Sequence, residues 1–291
     1  MGPTASGKTA LGVALAEHFN GEIISADSRQ VYRGMDIGSG KDLDEYGDVP
    51  YHLIDIVDPG YEFNVFEFQK RFNDAFLTIQ NQKRLPFLVG GTGLYLSSVL
   101  SGYQFTEVPT NQPLRDKLES QDHDELVEHL KKLTPNLHNT TDLLDRSRLV
   151  RAIEIAEADK VATQPSIVLP AIKPLVFGIQ WEREKLKERI TFRLRQRLNE
   201  GLIEEVEKLH RDGVSWESLH FYGLEYRFIA AYLKGETNKN DMIQKLNSAI
   251  HTFSKQQTKW FRKMARKGTD IIWLDGEGDV YQQALSYGVM T

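Results

Sequence analysis

The residues best suited to chemistry stand together near the head of the chain. Gly2, Pro3, Thr4, Ala5, Ser6, Gly7, Lys8 and Thr9 fit G-x-x-x-x-G-K-[ST], the phosphate-cradling P-loop. Its glycines let the backbone curl so that successive N–H groups converge where the positive end of a following helix points. Lys8 adds a point charge, and the Thr9 hydroxyl suits a Mg²⁺ ion. The alternative for such a stretch is a glycine-rich loop that only caps a helix. Two further stretches have the same strand-then-turn character: Asp27-Ser28-Arg29-Gln30 after one short apolar run, and Gly90-Gly91-Thr92-Gly93 after another. Ligands of open α/β sheets bind beyond the carboxyl ends of the strands. Asp27 is therefore a candidate base or metal partner, with helix capping by Asp27 or Ser28 as the plainer reading. Thr92 stands on the same rim.

Such residues need a sheet behind them. Residues 22–26, 51–56 and 85–89 read as short buried strands, and 9–19 and 63–82 as helices, with Phe66, Phe72 and Phe76 on the apolar side of the second. Alternation of this kind predicts an α/β fold, a P-loop NTPase-like parallel sheet with flanking helices. From about residue 110 the pattern turns helical (114–120, 124–133, 142–158) and returns to a strand at 175–181. The expected organisation is 1–109 as the first part of the core, 110–172 as a mostly helical insertion, and 173–291 as a return to the core with C-terminal helices. On 182–198, Arg189, Arg193 and Arg197 run about 100° behind an apolar stripe. In the last long helix Ile250, Phe253, Trp260, Phe261 and Met264 mark the expected buried side, beside a basic ladder of His251, Lys255, Lys259, Arg262 and Arg266.

Composition narrows the classes. The 291 residues are 40% hydrophobic and 26% charged, ordinary for a globular protein, and contain no cysteine. That excludes disulfides, thiolate metal sites and a cysteine nucleophile, and fits a reducing cytoplasm. No apolar run approaches the roughly 18 residues a membrane span needs, so no membrane partner is expected. Net charge is −5, unevenly spread. Residues 181–268 hold 19 Lys and Arg against 12 Asp and Glu, a surplus of +7, while the remainder holds 17 against 29. A basic C-terminal part on an acidic chain suggests a polyanion bound on one face, or else a solvated, ion-paired helical surface.

Read together, the P-loop, DSRQ, YRGMDIGSGK, HLIDIVDP and GGTGLY resemble the tRNA dimethylallyltransferases of bacterial type. The resemblance continues through Arg148-x-x-Arg151-Ala152-Ile153-Glu154 and closes on Phe253-Ser254-Lys255-Gln256-Gln257-x-x-Trp260-Phe261-Arg262. It implies transfer of a dimethylallyl group from dimethylallyl diphosphate to the exocyclic amine of the tRNA adenosine 3′ of the anticodon, by a monomer using Mg²⁺ at Thr9. Asp27 would take the amine proton, Lys8 and the P-loop amides would hold the diphosphate, and Thr92 would lie near its leaving oxygens. Asp27, Ser28, Arg29, Gln30 and Thr92, together with Arg115 and the segment Ser147, Arg148, Leu149, Val150 and Arg151, would contact tRNA. The sequence departs from the pattern at Ser39-Gly40-Lys41-Asp42, where relatives carry Thr-Ala-Lys-Pro, and at His220, His251 and Gln256, where they are usually basic. Relatives also place an apolar strand ahead of the P-loop, from which the expectation follows that Met1 is internal and the first core strand is missing from the chain. A P-loop kinase, a prenyltransferase acting on free adenine nucleotides, and an RNA-binding paralogue without catalysis are the competing readings of the same residues.

Overall fold

A computed structural model of the chain describes residues 1–102, 108–135, 143, 146–159 and 169–288. It falls into two compact units, Met1–Tyr103 with Leu169–Thr291, and Gln104–Val168. In the first unit the P-loop runs directly into α1 (Lys8–His18), and β1 (Gly21–Ala26) follows, buried at every position. β2 (Tyr51–His52) and β3 (Leu85–Gly90) flank β1, both parallel to it, giving the order β2-β1-β3. Between β2 and β3 runs α2 (Val65–Asn81), started by Asn64, whose side chain accepts from the Glu67 amide. α3 (Gly93–Leu100) leaves the carboxyl end of β3. Phe68, Phe72, Phe76, Leu96 and Val99 from these two helices pack with Ile24 of β1.

The expected strand over 51–56 is only two residues long. Leu53 and Asp55 adopt left-handed backbone (φ 65° and 55°), which ends the extended run. The following amides turn to the segment after β1 instead: Asp55 N donates to Gln30 O at 3.0 Å and Ile56 N to Val31 O at 2.9 Å. This bends the chain around the DSRQ segment.

The second unit, Gln104–Val168, contains α4 (Gln112–Glu119), α5 (His123–Leu133) and α6 (Arg146–Asp159). α5 opens on a capping box, Asp122 with Glu125. Leu118, Leu126, Leu130, Leu149 and Ile153 form its core.

The first unit resumes with β4 (Val176–Gln180), then α7 (Arg183–Asn199), α8 (Leu202–Arg211), α9 (Trp216–Phe221), α10 (Leu224–Leu233) and the long α11 (Lys239–Arg266). Gly201 (φ 100°) supplies the left-handed turn that separates α7 from α8. β5 (Ile271–Asp275) pairs parallel with β4 as a second sheet, and α12 (Val280–Ser286) closes the described fold. Ile190, Leu194, Leu202, Val206, Tyr226, Ile229, Met242 and Leu246 make the core of the helical layer. Among the described residues no helix is long and apolar enough to cross a membrane.

α11 buries Met242, Leu246, Ile250, Ser254, Gln257, Phe261 and Met264. Phe253 and Trp260, expected on that face, are 43% and 36% exposed. The steps of three and four residues place polar Ser254 and Gln257 in the stripe, and the two aromatics fall beside it.

A cavity of about 510 Å³ lies between the edges of β3 and β4, lined by Phe72, Phe76, Leu88, Val89, Val176 and Ile179 among others. Met1 lies along β4 at one end of it: its nitrogen donates to Phe177 O at 2.6 Å, and its carbonyl accepts from Ile179 N at 3.0 Å. This is the alternation of a parallel strand, so Met1 holds a strand position immediately before the P-loop.

Candidate functional site

The P-loop is shaped from outside by side chains the motif does not contain. Ala5 (φ 59°) and Gly7 (φ 87°) are left-handed, which turns successive peptide planes in alternate senses. Arg189 Nε donates to Ala5 O at 2.9 Å and Trp181 Nε1 to Ser6 O at 3.0 Å, while the Arg189 guanidinium lies 4.2 Å over the Trp181 ring. These bonds fix the orientation of both peptide units. α1 begins at Gly7 with no side-chain cap bond and no acid in its first turn, so its positive end stays available to an anion. Ser6 Oγ is buried with no hydrogen-bond partner. The Thr4 amide is engaged differently: it donates to Gln257 Oε1 at 2.9 Å, and Gln257 Nε2 donates to Gly91 O at 2.9 Å. One buried glutamine of α11 thus ties the P-loop to the glycine turn after β3.

That turn is tied to the end of β1 as well. Thr92 N donates to Ala26 O at 3.1 Å, and Thr92 Oγ1 accepts from Ser28 N at 3.1 Å. Asp27 Oδ1 accepts from Arg29 N at 2.9 Å, fixing its carboxylate at the strand end beside the P-loop. The Arg29 side chain lies against Gly223, at the start of α10. Gln30 is buried, and its amide is committed at both ends: Ser25 Oγ donates to Gln30 Oε1 at 2.8 Å and Gln30 Nε2 donates to Gly40 O at 3.0 Å. It anchors the glycine-rich loop. Glu205 of α8 holds the same loop, accepting from the amides of Asp36, Ile37 and Gly38 at 2.8, 2.6 and 3.0 Å and from Tyr226 Oη at 2.9 Å.

A cavity of about 320 Å³ opens over Gly7, Lys8 and Thr9. Arg193 and Arg197 of α7 face it with Arg189, and Asp42 and Glu45 line it from the loop before β2. Burial pushes the Lys8 ammonium down to about 8; Asp27 opposes the shift, Arg193 and Arg197 reinforce it, and Glu45 opposes it more weakly. Arg193 is lowered to about 10 by burial and then by Arg197, so Lys8 and Arg193 remain cationic at neutral pH. Arg193 forms an ion pair with Asp42. Burial pushes the Glu45 carboxyl up, against the pull of Lys8 and Arg197. Such a cluster of crowded cations on open amides is built for an anion of more than one charge.

In the helical unit the arginines converge on one carboxylate. Arg115 Nε donates to Glu154 Oε1 at 2.8 Å and Arg115 Nη2 to Oε2 at 3.0 Å; Arg151 Nη1 reaches Oε2 at 3.0 Å, and the Asn111 amide reaches Oε1 at 2.9 Å. Arg151 Nη2 also donates to Val108 O at 2.6 Å. Burial alone would raise the Glu154 pKa, but the Arg115, Asn111 and Arg151 bonds outweigh it and bring it down to about 2. The Leu149 side chain belongs to the core, Val150 is half-buried against it, and Ser147 and Arg148 each have partners of their own.

Comparison with known proteins gives this geometry its context. A family profile described as IPP transferase matches residues 30–264, and one described as isopentenyl transferase matches residues 1–46. tRNA dimethylallyltransferase 1 of Geotalea uraniireducens is 63% identical over 98% of this chain and 94% of that protein. The chain belongs to the tRNA dimethylallyltransferase family. tRNA dimethylallyltransferase 2 of Syntrophotalea carbinolica is 59% identical over 98% of this chain and 96% of that protein. Among solved structures, the full-length tRNA isopentenylpyrophosphate transferase of Bacillus halodurans aligns with a TM-score of 0.70 at 34% identity, covering 98% of this chain and 92% of that one. A eukaryotic dimethylallyltransferase captured acting on tRNA aligns with a TM-score of 0.79 at 25% identity, covering 98% and 76%.

Within this member of the family, the fold gathers Gly2 to Thr9, Asp27, Ser28 and Thr92 around one rim. It gives other expected contact residues internal duties. The Thr4 amide serves Gln257, the Gln30 amide serves Ser25 and Gly40, Arg115 and Arg151 serve Glu154, and the Leu149 side chain serves the core. Conversely, Trp181, Arg193, Arg197, Glu205 and Gln257 stand at or behind the site without having been assigned a role there from the sequence. The arginine stripe on α7 was a visible signal. Gln257 had a fainter one, a polar residue in step with the buried face of α11.

Proposed function

We propose that the chain transfers a dimethylallyl group from dimethylallyl diphosphate to the exocyclic amine of the tRNA adenosine just 3′ of the anticodon. The observation that carries this reading is the cationic cavity over the P-loop with the Asp27 carboxylate on the adjoining strand end, braced by Thr92. The P-loop amides beyond Thr4, with Lys8, Arg193 and Arg197, hold the diphosphate and stabilise the negative charge that grows on it as the carbon–oxygen bond breaks. The amine lone pair forms the new carbon–nitrogen bond, and Asp27 accepts the proton the nitrogen then loses. Because the amine is conjugated into the ring, a hydrogen-bonded carboxylate matters most as positive charge develops there.

Among the described residues no group of three or more His, Asp or Glu side chains is placed to hold a metal alone. That fits Mg²⁺, which keeps its waters and binds mainly through phosphate oxygens. Thr9, whose residue lines the cavity, is the side chain that would hold it, and bound Mg²⁺ neutralises charge on the leaving group. The adenine must leave its stack to reach a donor held at the strand ends, so flipping of that base belongs to the reaction. Ser28, Arg29 and the basic α11 ladder, exposed at Lys255, Lys259, Arg262 and Arg266, are the proposed tRNA contacts of the first unit. Arg148 is the proposed contact of the helical unit.

The test is Asp27→Ala. It should abolish prenyl transfer to an anticodon stem-loop while the same RNA still binds within a few-fold, measured by single-turnover assay and fluorescence anisotropy. Unchanged turnover would remove Asp27 from the mechanism.

A further inference from the structure

The diphosphate reading leaves one feature of the cavity without a use: a carboxylate aimed at the cations. Asp42 starts the short 3₁₀ turn Leu43–Tyr46, its backbone left-handed (φ 46°, ψ 51°) and its carbonyl accepting from Glu45 N at 2.9 Å. This places its side chain across from α7, where it pairs with Arg193. Each side chain is 29% exposed, while the Asp42 Oδ2 that faces Arg193 is itself buried. The cavity is lined by Lys8, Arg189, Arg193 and Arg197 against Asp42, Glu45 and Glu200, a formal surplus of one positive charge. Arg189 is further occupied by Ala5 O. A diphosphate entering the site must therefore compete with Asp42 for Arg193.

We propose that Asp42 is an internal counterion that Arg193 exchanges for diphosphate, so that Asp42 sets how tightly the leaving group is held and how fast it departs. The carboxylate takes back the guanidinium as the product leaves, and this substitutes a protein anion for one that must otherwise be stripped from several cations at once. The exchange breaks and forms only ion pairs, and needs no co-reactant. Glu45 lines the same cavity and is drawn to Lys8 and Arg197, whereas the ion pair to Arg193 is made by Asp42.

The inference rests on the diphosphate reading of the site, and its test separates the two. Asp42→Asn keeps side-chain size and a residue type that tolerates left-handed backbone, while removing the charge; Asp42→Gly suits the same φ and serves as the second variant. Inorganic diphosphate is titrated by calorimetry, with Mg²⁺, into the full chain and both variants. The prediction is affinity tightened about fivefold or more in both, the scale of a partly exposed ion pair. Steady-state turnover should fall with the product inhibition constant. Diphosphate binding equal to or weaker than wild type in both variants would overturn the proposal, because Asp42 would then be holding Arg193 in place or assisting the metal. If the wild-type chain binds no diphosphate, the reading of the cavity itself fails.

Discussion

Lys8 carries the sharpest consequence at the scale of single residues. Its ammonium is brought down to about 8 by burial and by Arg193 and Arg197, against the opposing Asp27 and Glu45. A lysine in water would keep its charge to about pH 10. Here the free protein loses that charge as pH rises through about 8, so kcat/KM for the prenyl donor should decline above that pH. A profile flat to pH 10 would show that Lys8 does not supply the charge. Gln257 gives a second prediction. Removing its amide with Gln257→Ala leaves Thr4 N and Gly91 O unbridged, and each unpaired buried group costs about 1–3 kcal/mol. The melting temperature should fall and donor KM should rise together. A variant with wild-type values of both would show that the bridge is idle. The placement of Lys8 and Asp27 was legible because it follows from local spacing, a glycine turn or a strand end. Gln257 was not, since its bonds cross 253 and 166 positions of the chain and no local pattern reports them.

Elements were read from periodicity, and α1, α2 and α7 lie where it places them, although Phe68 and not Phe66 is buried with Phe72 and Phe76 on α2. It failed where hydrogen bonds to another segment decide, as at Leu53 and Asp55, or where a polar side chain occupies the buried stripe, as with Ser254 and Gln257 on α11. The helical unit shows the same limit. Arg151 and Glu154 stand one helical turn apart on α6, but Arg115 is 39 positions from Glu154, so its part in the ion-pair network appears only once α4 and α6 pack. That network makes the unit acid-sensitive. The Glu154 carboxyl is held at about 2 against an ordinary 4.5, so its ionised form stabilises the fold. The contribution is complete above about pH 4.5 and is lost as pH falls toward 2; a shift of that size corresponds to about 3 kcal/mol. Hydrogen exchange of the α6 amides should accelerate selectively across that interval, and Glu154→Gln should remove most of the pH dependence. Exchange that stays equally slow at pH 2 and pH 5 would contradict the assignment.

On the scale of the whole molecule, the expected single sheet is present as two parallel pieces with an apolar cavity between β3 and β4. Met1 bonds to β4 at its edge, and its amine is lowered to about 5 by burial and by Lys8. The charge asymmetry of the chain has its counterpart in the exposed basic residues of α11, which suit an RNA backbone. The central claim joins two neighbouring features of one rim, an anion held at the P-loop and a base delivered to Asp27. It is tested most directly by incubating the chain with dimethylallyl diphosphate, Mg²⁺ and an anticodon stem-loop carrying adenosine 3′ of the anticodon, then measuring the mass of the RNA. The account predicts one added dimethylallyl group on that adenosine, abolished by Asp27→Ala. Unmodified RNA under conditions where ATP is bound and hydrolysed would contradict it.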